Sequence, residues 1–355
     1  MKASILILIS ELHSVTDNFF KMLSNYTKIN DYEIIVIEDS EEPIFVQTYF
    51  DQFNFNNLKF YRTSHKMGYG RATNFGLQFV TCNVLIFIND DIILTQNCLE
   101  ILVEDIVKNK CDAVQPKLIY PQTNRIQSTG HVFTRYSNAH AFENADSSAY
   151  YVNLSGTRAA LTTALSATRT ELFLNKKFDS TYYNAWEGME YFLKLTTAGY
   201  KCFYDATAIA YHIRNGARGM YKIDEKMQSA YFWSNWQNKI KEDLPKYWEL
   251  QLANIDRNHE YILINLSNHT LIENTISKAG FAITDTINYL HYSGLDKIDF
   301  FKVMPIRISD FNSNIIYCCN NFIQIINNKV WFSLRSHMHD IILDLSGNVI
   351  TLPNP

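Results

Sequence analysis

The sequence predicts an α/β protein: a mostly parallel sheet with helices on both faces, followed by a small C-terminal domain. Three observations carry this. Short apolar runs alternate with helix-period segments through the first half of the chain. One run, Val84-Leu85-Ile86-Phe87-Ile88, is apolar throughout, as a strand buried on both faces must be, and it ends directly in Asn89-Asp90-Asp91. Strand-like runs then restart after about Asp256, beyond a break at Pro245.

The elements follow in order. Ser4–Ile9 reads as a first strand and Val15–Tyr26 as a helix. Tyr32–Glu38 and Leu58–Arg62 read as two further strands. Gly70–Val80 has helical spacing through Ala72, Phe75, Leu77 and Phe79. After Val84–Ile88, a helix from about Gln96 to Asn109 carries Leu99, Ile101, Leu102, Ile106 and Val107 on its apolar side. Pro116 to Tyr151 reads as loop-rich, and Ala159–Thr168 as a strand. Met189–Ala198 reads as a helix stopped by Gly199, and Lys201–Tyr204 and Ala208–His212 as short strands. A polar, aromatic helix is expected from Asp224 to Asp243. The tail offers strand-like runs at Tyr261–Leu266, Ile315–Tyr317, Phe322–Ile326, Val330–Leu334 and Asp340–Leu345. Hairpin turns are expected at Asn327-Asn328 and Ser346-Gly347-Asn348. The expected division is a main α/β domain over 1–222, a helical extension over 223–255 and a small domain over 256–355.

Composition narrows the function classes. A chain of 355 residues exceeds one compact core of ordinary size. The formal net charge of -4 gives no bulk basic signal for nucleic acid. The six cysteines have neither zinc spacing nor disulfide-scaffold density, which points to reduced thiols and a cytoplasmic protein. The apolar run after Met1 is too short for a signal peptide and lacks a cleavage site, so it fits a first buried strand. No run is long enough to span a bilayer, which leaves peripheral contact with the inner face of the cell membrane open.

Several constellations bear on chemistry. Two carboxylates at the end of a buried strand repel unless a cation lies between them. Asp90 and Asp91 therefore suit Mg²⁺ or Mn²⁺, whose shell substrate phosphates complete; the competing reading is a solvated turn. Glu38-Asp39 closes the second strand, where a carboxylate accepts from a pyrimidine imide or caps a helix. His65 to Gly76 is a glycine-punctuated helix entry containing Lys66, Gly68 and Arg71. Glycines allow close backbone approach, and a helix N-terminus favours phosphate. It is neither a Walker loop nor a dinucleotide fingerprint. Glu187 and Glu190, three apart at a helix start, share a face and supply a general base or simply first-turn acids. Tyr211-His212 leads into a basic loop with Arg214 and Arg218, suited to a metal and a diphosphate or to no more than a solvated loop. His337 and His339 alternate on a strand-like run without an evident third ligand.

Taken in order, these segments resemble the family 2 glycosyltransferases of GT-A fold, especially rhamnosyltransferase-like members. The resemblance runs from Ser4 to about Gly219 and includes Gln115–Pro121 and Arg125-Ile126-Gln127-Ser128-Thr129-Gly130. It implies Asp91 and His212 as metal ligands, and Glu38, Asp39, Lys66, Gly68, Arg71, Asn89, Asp90, Arg214 and Arg218 as donor-binding residues. It further implies inverting transfer from a UDP- or dTDP-linked sugar to an oligosaccharide or lipid-linked glycan acceptor, in surface polysaccharide synthesis. Two departures stand out. Gly188 occupies the place where the family usually has an Asp, the presumed base, so Glu187, with Glu190 second, is expected to take that role. Thr162-Thr163-Ala164 stands where Gly is frequent. The rival reading is a nucleotide-sugar or carbohydrate-binding protein without transfer activity. Homo-oligomer formation stays open.

Overall fold

The computed structural model describes residues 1–11, 15–26, 28–53, 55–134, 137–213, 222–252, 261–267, 273–280, 286–291, 314–335 and 340–350. Contacts divide the chain into two units, one of 1–132 with 139–240 and the other of 133–138 with 241–355.

In the first unit, β1 (Ser4–Ile9), β2 (Glu33–Glu38), β3 (Leu58–Arg62) and β4 (Val84–Ile88) form a parallel row in the order β3-β2-β1-β4. Helix α1 (Thr16–Ser24) follows β1, and α2 (Tyr69–Gly76) follows β3. After β4 come β5 (Ile92–Leu94), α3 (Cys98–Val107), β6 (Ala113–Tyr120) and β7 (Arg125–Ser128). Two short strands, β8 (His131–Phe133) and β9 (Asn138–His140), stand outside the large sheet. The unit continues with β10 (Gly156–Thr157), β11 (Leu165–Arg169), α4 (Thr170–Lys176), α5 (Glu187–Thr197), β12 (Cys202–His212) and α6 (Lys222–Trp236). Beyond β4 the sheet continues through β11, β6, β12 and β10, with β5 on β12 and β7 on β6; β11, β10, β5 and β7 run against the direction of the rest.

Alternation along the strands assigns the two faces. Ile5, Ile7, Ile9, Ile34, Val36, Ile86 and Ile88 share one core with Phe19, Phe20 and Leu23 of α1 and Leu99, Leu102 and Ile106 of α3. Leu6, Ile37 and Phe87 point the other way. Gly76 of α2 lies so close there that a Cβ on it would meet Leu6 Cδ1 at 2.7 Å, and Phe87 packs edge-on against Phe173 of α4. Helices thus cover both faces, as expected, and the carboxyl ends of the parallel strands share one edge.

Three expectations need refining. The loop-rich stretch 116–151 also holds short strands, and β6 carries Pro116 in its interior. The ladder tolerates a residue without an N–H there because Pro116 lies opposite Asp205, where the register of β12 shifts between Asp205 and Ile209. That irregularity also joins the two short strands expected over 201–212 into one strand of 11 residues. Asp205 shapes the bend by accepting from Thr207 N at 2.8 Å and Thr207 Oγ1 at 2.6 Å. The strand expected over 159–168 is confined to Leu165–Arg169.

In the second unit, α7 (Leu244–Leu252) begins at the residue before Pro245, so this proline starts a helix rather than interrupting one. The strands β13 (Tyr261–Asn265), β14 (Thr286–His291), β15 (Asn314–Cys318) and β16 (Ile341–Leu343) form a parallel sheet in the order β14-β13-β15-β16, with α8 (Glu273–Lys278) following β13. Two segments expected as strands are helices, α9 (Phe322–Asn327) and α10 (Lys329–Leu334). Their β-branched residues read as strand, but Asn321 Oδ1 accepts from Ile323 N at 2.9 Å and so starts a helix. Asn328 joins the two helices instead of turning a hairpin, and Ile325, Trp331 and Phe332 pack on the sheet through Tyr317 and Ile342. His337 and His339 lie outside the described residues. Among the described residues, no helix is long and apolar enough to cross a membrane.

Buried Asp105 and Asp205, bridged by the exposed Lys110, test how α3 is tied to the sheet. Lys110 Nζ lies 2.9 Å from Asp105 and 2.6 Å from Asp205. Burial pushes the Asp205 carboxyl up, but the Lys110 ammonium and the Thr207 donors outweigh it and hold it at about 2. Asp105 is pushed the other way by burial and by the Asp205 charge. A depressed Asp205 contributes stability above the usual carboxylate range, and this is lost as pH falls from near 4 to about 2. Lys110→Met should cost about 1 kcal/mol at neutral pH in denaturant unfolding, since solvent screens the exposed ammonium, shrinking below pH ~4 as the carboxylates protonate. An unchanged midpoint at neutral pH would contradict this.

Candidate active site

The carboxyl edge brings β4, β5 and β12 together. Ile92 pairs with His212, and Ile213 N donates to Asp91 O at 3.1 Å, so Asp91 and His212 are fixed side by side through their backbones. His212 Nε2 lies 3.0 Å from Asp91 Oδ1, and both side chains are nearly buried, 12% and 9% exposed. On the opposite side of the ring, Gln127 Oε1 is 2.5 Å from His212 Nδ1, while Gln127 Nε2 donates to the His212 carbonyl at 3.2 Å. Among the described residues, no group of three or more His, Cys, Asp and Glu side chains is arranged to hold a metal ion. The pair itself fits one. Two ligands on neighbouring corners of an octahedral ion with bonds of about 2.1 Å stand roughly 3.0 Å apart, and Mg²⁺-like ions commonly take only one or two protein groups beside phosphates and water. An oxygen–nitrogen pair also suits Mn²⁺.

Asn89 and Asp90 secure the turn that presents Asp91. Asn89 N donates to Ala164 O at 2.9 Å, tying the turn to the segment before β11. Asp90 Oδ2 accepts from Thr16 Oγ1 at 2.7 Å, which places its charge at the start of α1, where the helix dipole favours it.

Glu38 and Asp39 are engaged by the protein itself. Glu38 is fully buried and accepts from Arg62 Nε at 2.7 Å, Ile44 N at 3.0 Å, Phe45 N at 2.9 Å and Ser40 Oγ at 2.9 Å. Burial opposes its ionisation, but these donors prevail and hold the carboxyl below its ordinary value. Asp39 accepts from Thr63 Oγ1 at 2.8 Å, Met67 N at 2.7 Å and Gly68 N at 2.8 Å. The next N–H, that of Tyr69, donates to Asn184 Oδ1 at 2.6 Å. At the entry to α2, where the sequence suggested a phosphate, the amides of Met67, Gly68 and Tyr69 are taken by Asp39 and Asn184. Gly68 is needed on two counts, a φ of 87° and a Cβ position 2.6 Å from the Tyr183 ring. Lys66 Nζ reaches Glu11 at 3.5 Å, and Arg71 Nε donates to Ser180 O at 2.9 Å. Asn74 exchanges hydrogen bonds with the backbone of Phe178 at 2.9 and 3.0 Å.

Helix α5 brings its acids to the same region. Glu187 is buried, and a Cβ on Gly70 would meet its Cγ at 3.3 Å, so the starts of α2 and α5 are in contact. Glu190 is committed elsewhere: Trp236 Nε1 donates to it at 3.1 Å, and Lys194 Nζ lies 2.6 Å from its other oxygen. Gly188 and Thr163, the two departures noted in the sequence, meet in space. A Cβ on Gly188 would lie 2.5 Å from Thr163 Cγ2 and 2.8 Å from Thr163 Oγ1. The threonine fills the volume that any side chain at position 188 would need. Arg214 and Arg218 lie outside the described residues.

Of the expected metal ligands, both stand together, and Asn89 and Asp90 adjoin them. Gln127, Asn184 and Thr163 were not singled out from sequence as site residues. Gln127 fell inside a recognised motif, but its target lies 85 residues away, and that of Asn184 115 away.

Residues 10–156 match the family model described as "Glycosyl transferase family 2". No curated protein matches the sequence. Among solved structures, the chain is similar to GalNAc-T7 with UDP, GalNAc and Mn²⁺, at 16% identity and a TM-score of 0.49, over 59% of this chain and 43% of that one. It is also similar to the mannosyltransferase PcManGT from Pyrobaculum calidifontis in complex with GDP-Man and Mn²⁺, at 10% identity and TM-score 0.46, over 72% and 65% of the two chains. S. aureus TarS 1-349 shows 14% identity and a TM-score of 0.43, over 72% and 66%. The chain thus spans between 43% and 66% of the length of these solved chains. The match to the glycosyl transferase family 2 model covers residues 10–156, which include Asp39, Asn89, Asp90, Asp91 and Gln127.

Proposed function

We propose that the protein transfers a sugar from a pyrimidine nucleoside-diphosphate sugar to a hydroxyl of a glycan acceptor, with inversion at the anomeric carbon. The observation that carries this reading is the Asp91–His212 pair at the carboxyl edge of a sheet whose first half matches a glycosyltransferase family. Asp91 and His212 are the residues that would hold a divalent ion. When bound, such an ion neutralises charge on the departing diphosphate. Asp90 and Asn89 hold the Asp91 turn in place, and Glu38 and Asp39 build the floor of the site and anchor its glycine loop. In this reading Arg214 and Arg218 supply further positive charge to the diphosphate.

Glu187 is assigned the base. Glu190, bound to Lys194 and Trp236, braces α5 against α6. Glu187 takes the proton of the acceptor hydroxyl as its oxygen attacks the anomeric carbon. The bond from that carbon to the diphosphate oxygen breaks on the opposite side. Trp186, whose ring lies 4.8 Å from Phe232 and 6.3 Å from Trp233, places half-buried aromatic surface next to Glu187 and suits stacking with a sugar ring.

A second reading is favoured by one observation: with Gly188 bare and Thr163 in the adjoining volume, no carboxylate occupies that position, as in a protein that binds nucleotide sugars without transferring them. Transfer or donor hydrolysis measured with Mn²⁺ separates the two.

Three outcomes are expected. Asp91→Ala should lose Mn²⁺-dependent binding of UDP or dTDP in calorimetric titration, and undiminished affinity would refute the site. Glu187→Gln should lower turnover about 10²–10⁴-fold with donor affinity nearly intact, whereas Glu190→Gln should act mainly on stability. Near-normal transfer by Glu187→Gln would remove it as the base. Gly188→Asp should destabilise the fold by about 1–3 kcal/mol through its clash with Thr163, and the double variant with Thr163→Gly should recover most of that. Additive losses in a double-mutant cycle would show that the two positions do not share one volume.

A further inference from the structure

Gln127 is buried on β7, 5% exposed, and touches His212 twice. The two contacts together fix a proton. A backbone carbonyl only accepts, so the amide group that reaches the His212 carbonyl at 3.2 Å is the Gln127 NH₂. The amide oxygen is then the atom facing His212 Nδ1 at 2.5 Å, and since it too only accepts, Nδ1 carries the hydrogen. In the neutral ring this leaves Nε2 with a bare lone pair, aimed at Asp91 Oδ1 3.0 Å away. Two lone pairs at that distance repel, so a positive charge completes the pair: a proton on Nε2 that Asp91 accepts, or a cation in its place.

We infer that Gln127 is a positioning residue: it locks His212 in the Nδ1–H tautomer and so presents Nε2, together with Asp91, to a divalent cation. The inference rests on the metal reading of the Asp91–His212 pair and adds to it the residue that orients the histidine. Gln127 does this through the ring and the backbone at once, which fixes ring rotation as well as tautomer. The backbone part matters because His212 is the last residue of β12, with only the Ile213 amide bond to Asp91 holding the chain beyond it among the described residues. Partners that orient a ligating histidine typically govern metal affinity about 10- to 100-fold.

The test uses the full-length chain and Mn²⁺ alone, with free Mn²⁺ followed by electron paramagnetic resonance. Gln127→Leu should weaken Mn²⁺ binding about 10- to 100-fold while the thermal unfolding midpoint changes little. Gln127→Glu keeps an acceptor toward Nδ1–H but loses the donor to the His212 carbonyl, and should recover part of that loss. The second readout is long-range ¹H–¹⁵N correlation of histidine ring nitrogens in the unaltered protein saturated with Mg²⁺, assigned with His212→Asn. The expected pattern is a proton on Nδ1 and none on Nε2. A proton on Nε2, or protons on both nitrogens, overturns the inference even if a variant fails to fold. Mn²⁺ binding by the parent that is equal in Gln127→Leu overturns the assignment to Gln127 and leaves the metal reading standing. Absence of Mn²⁺ binding by the parent overturns the metal reading, and this inference with it.

Discussion

A carboxylate at the end of a buried strand must be answered by donors or by positive charge, and the main unit is organised around that requirement. The parallel strands deliver Glu38, Asp39, Asp90 and Asp91 to one edge, where Glu38, Asp39 and Asp91 are buried and Asp90 is half-buried. Each is met differently. Arg62 and two backbone amides close on Glu38, and the entry to α2 folds onto Asp39. Thr16 at the head of α1 reaches Asp90. Asp91 is left facing a histidine nitrogen, which is the arrangement a cation would complete. The first three therefore build the scaffold, and the last carries the chemistry assigned to the site.

This division of labour explains why the glycine-rich segment has its particular composition. Asp39 and Asn184 satisfy three successive amides at the start of α2, and only a glycine at position 68 allows the backbone to turn while Tyr183 lies against it. Further along, Gly70 and Gly76 let α2 approach Glu187 on one side and Leu6 and Ile37 on the other. The segment makes close contacts with both the sheet and the start of α5, so that the acids of α5 and the Asp91–His212 pair share one frame. Gly188 and Thr163 belong to the same frame: the bare glycine leaves the volume that the threonine side chain takes.

Much of this was legible in the sequence. The apolar runs of β1, β2 and β4, the apolar stripe of α3 and the acidic strand end name themselves, because burial on two faces or along one stripe leaves a periodic trace. Where the trace was misread, a local contact overrode it. Pro116 lies inside a strand because its ladder partner is at a bulge, and Phe322–Asn327 is a helix because Asn321 caps it. In both places a single side chain decides what the surrounding propensity leaves ambiguous.

By itself, the sequence determined the order of strands and helices in the first half, the carboxylates at the strand ends and the candidate ligands Asp91 and His212, all of which depend on residue type and short spacing. Only the tertiary structure decided which carboxylates are already satisfied, that Glu190 is bound to Lys194 and Trp236, that Thr163 fills the volume beside Gly188, and that Gln127 grips His212. These are contacts between residues far apart in the chain or between side chains whose direction no periodicity records. Hydrogen bonding and packing act over a few ångströms in space, and sequence distance carries no trace of them.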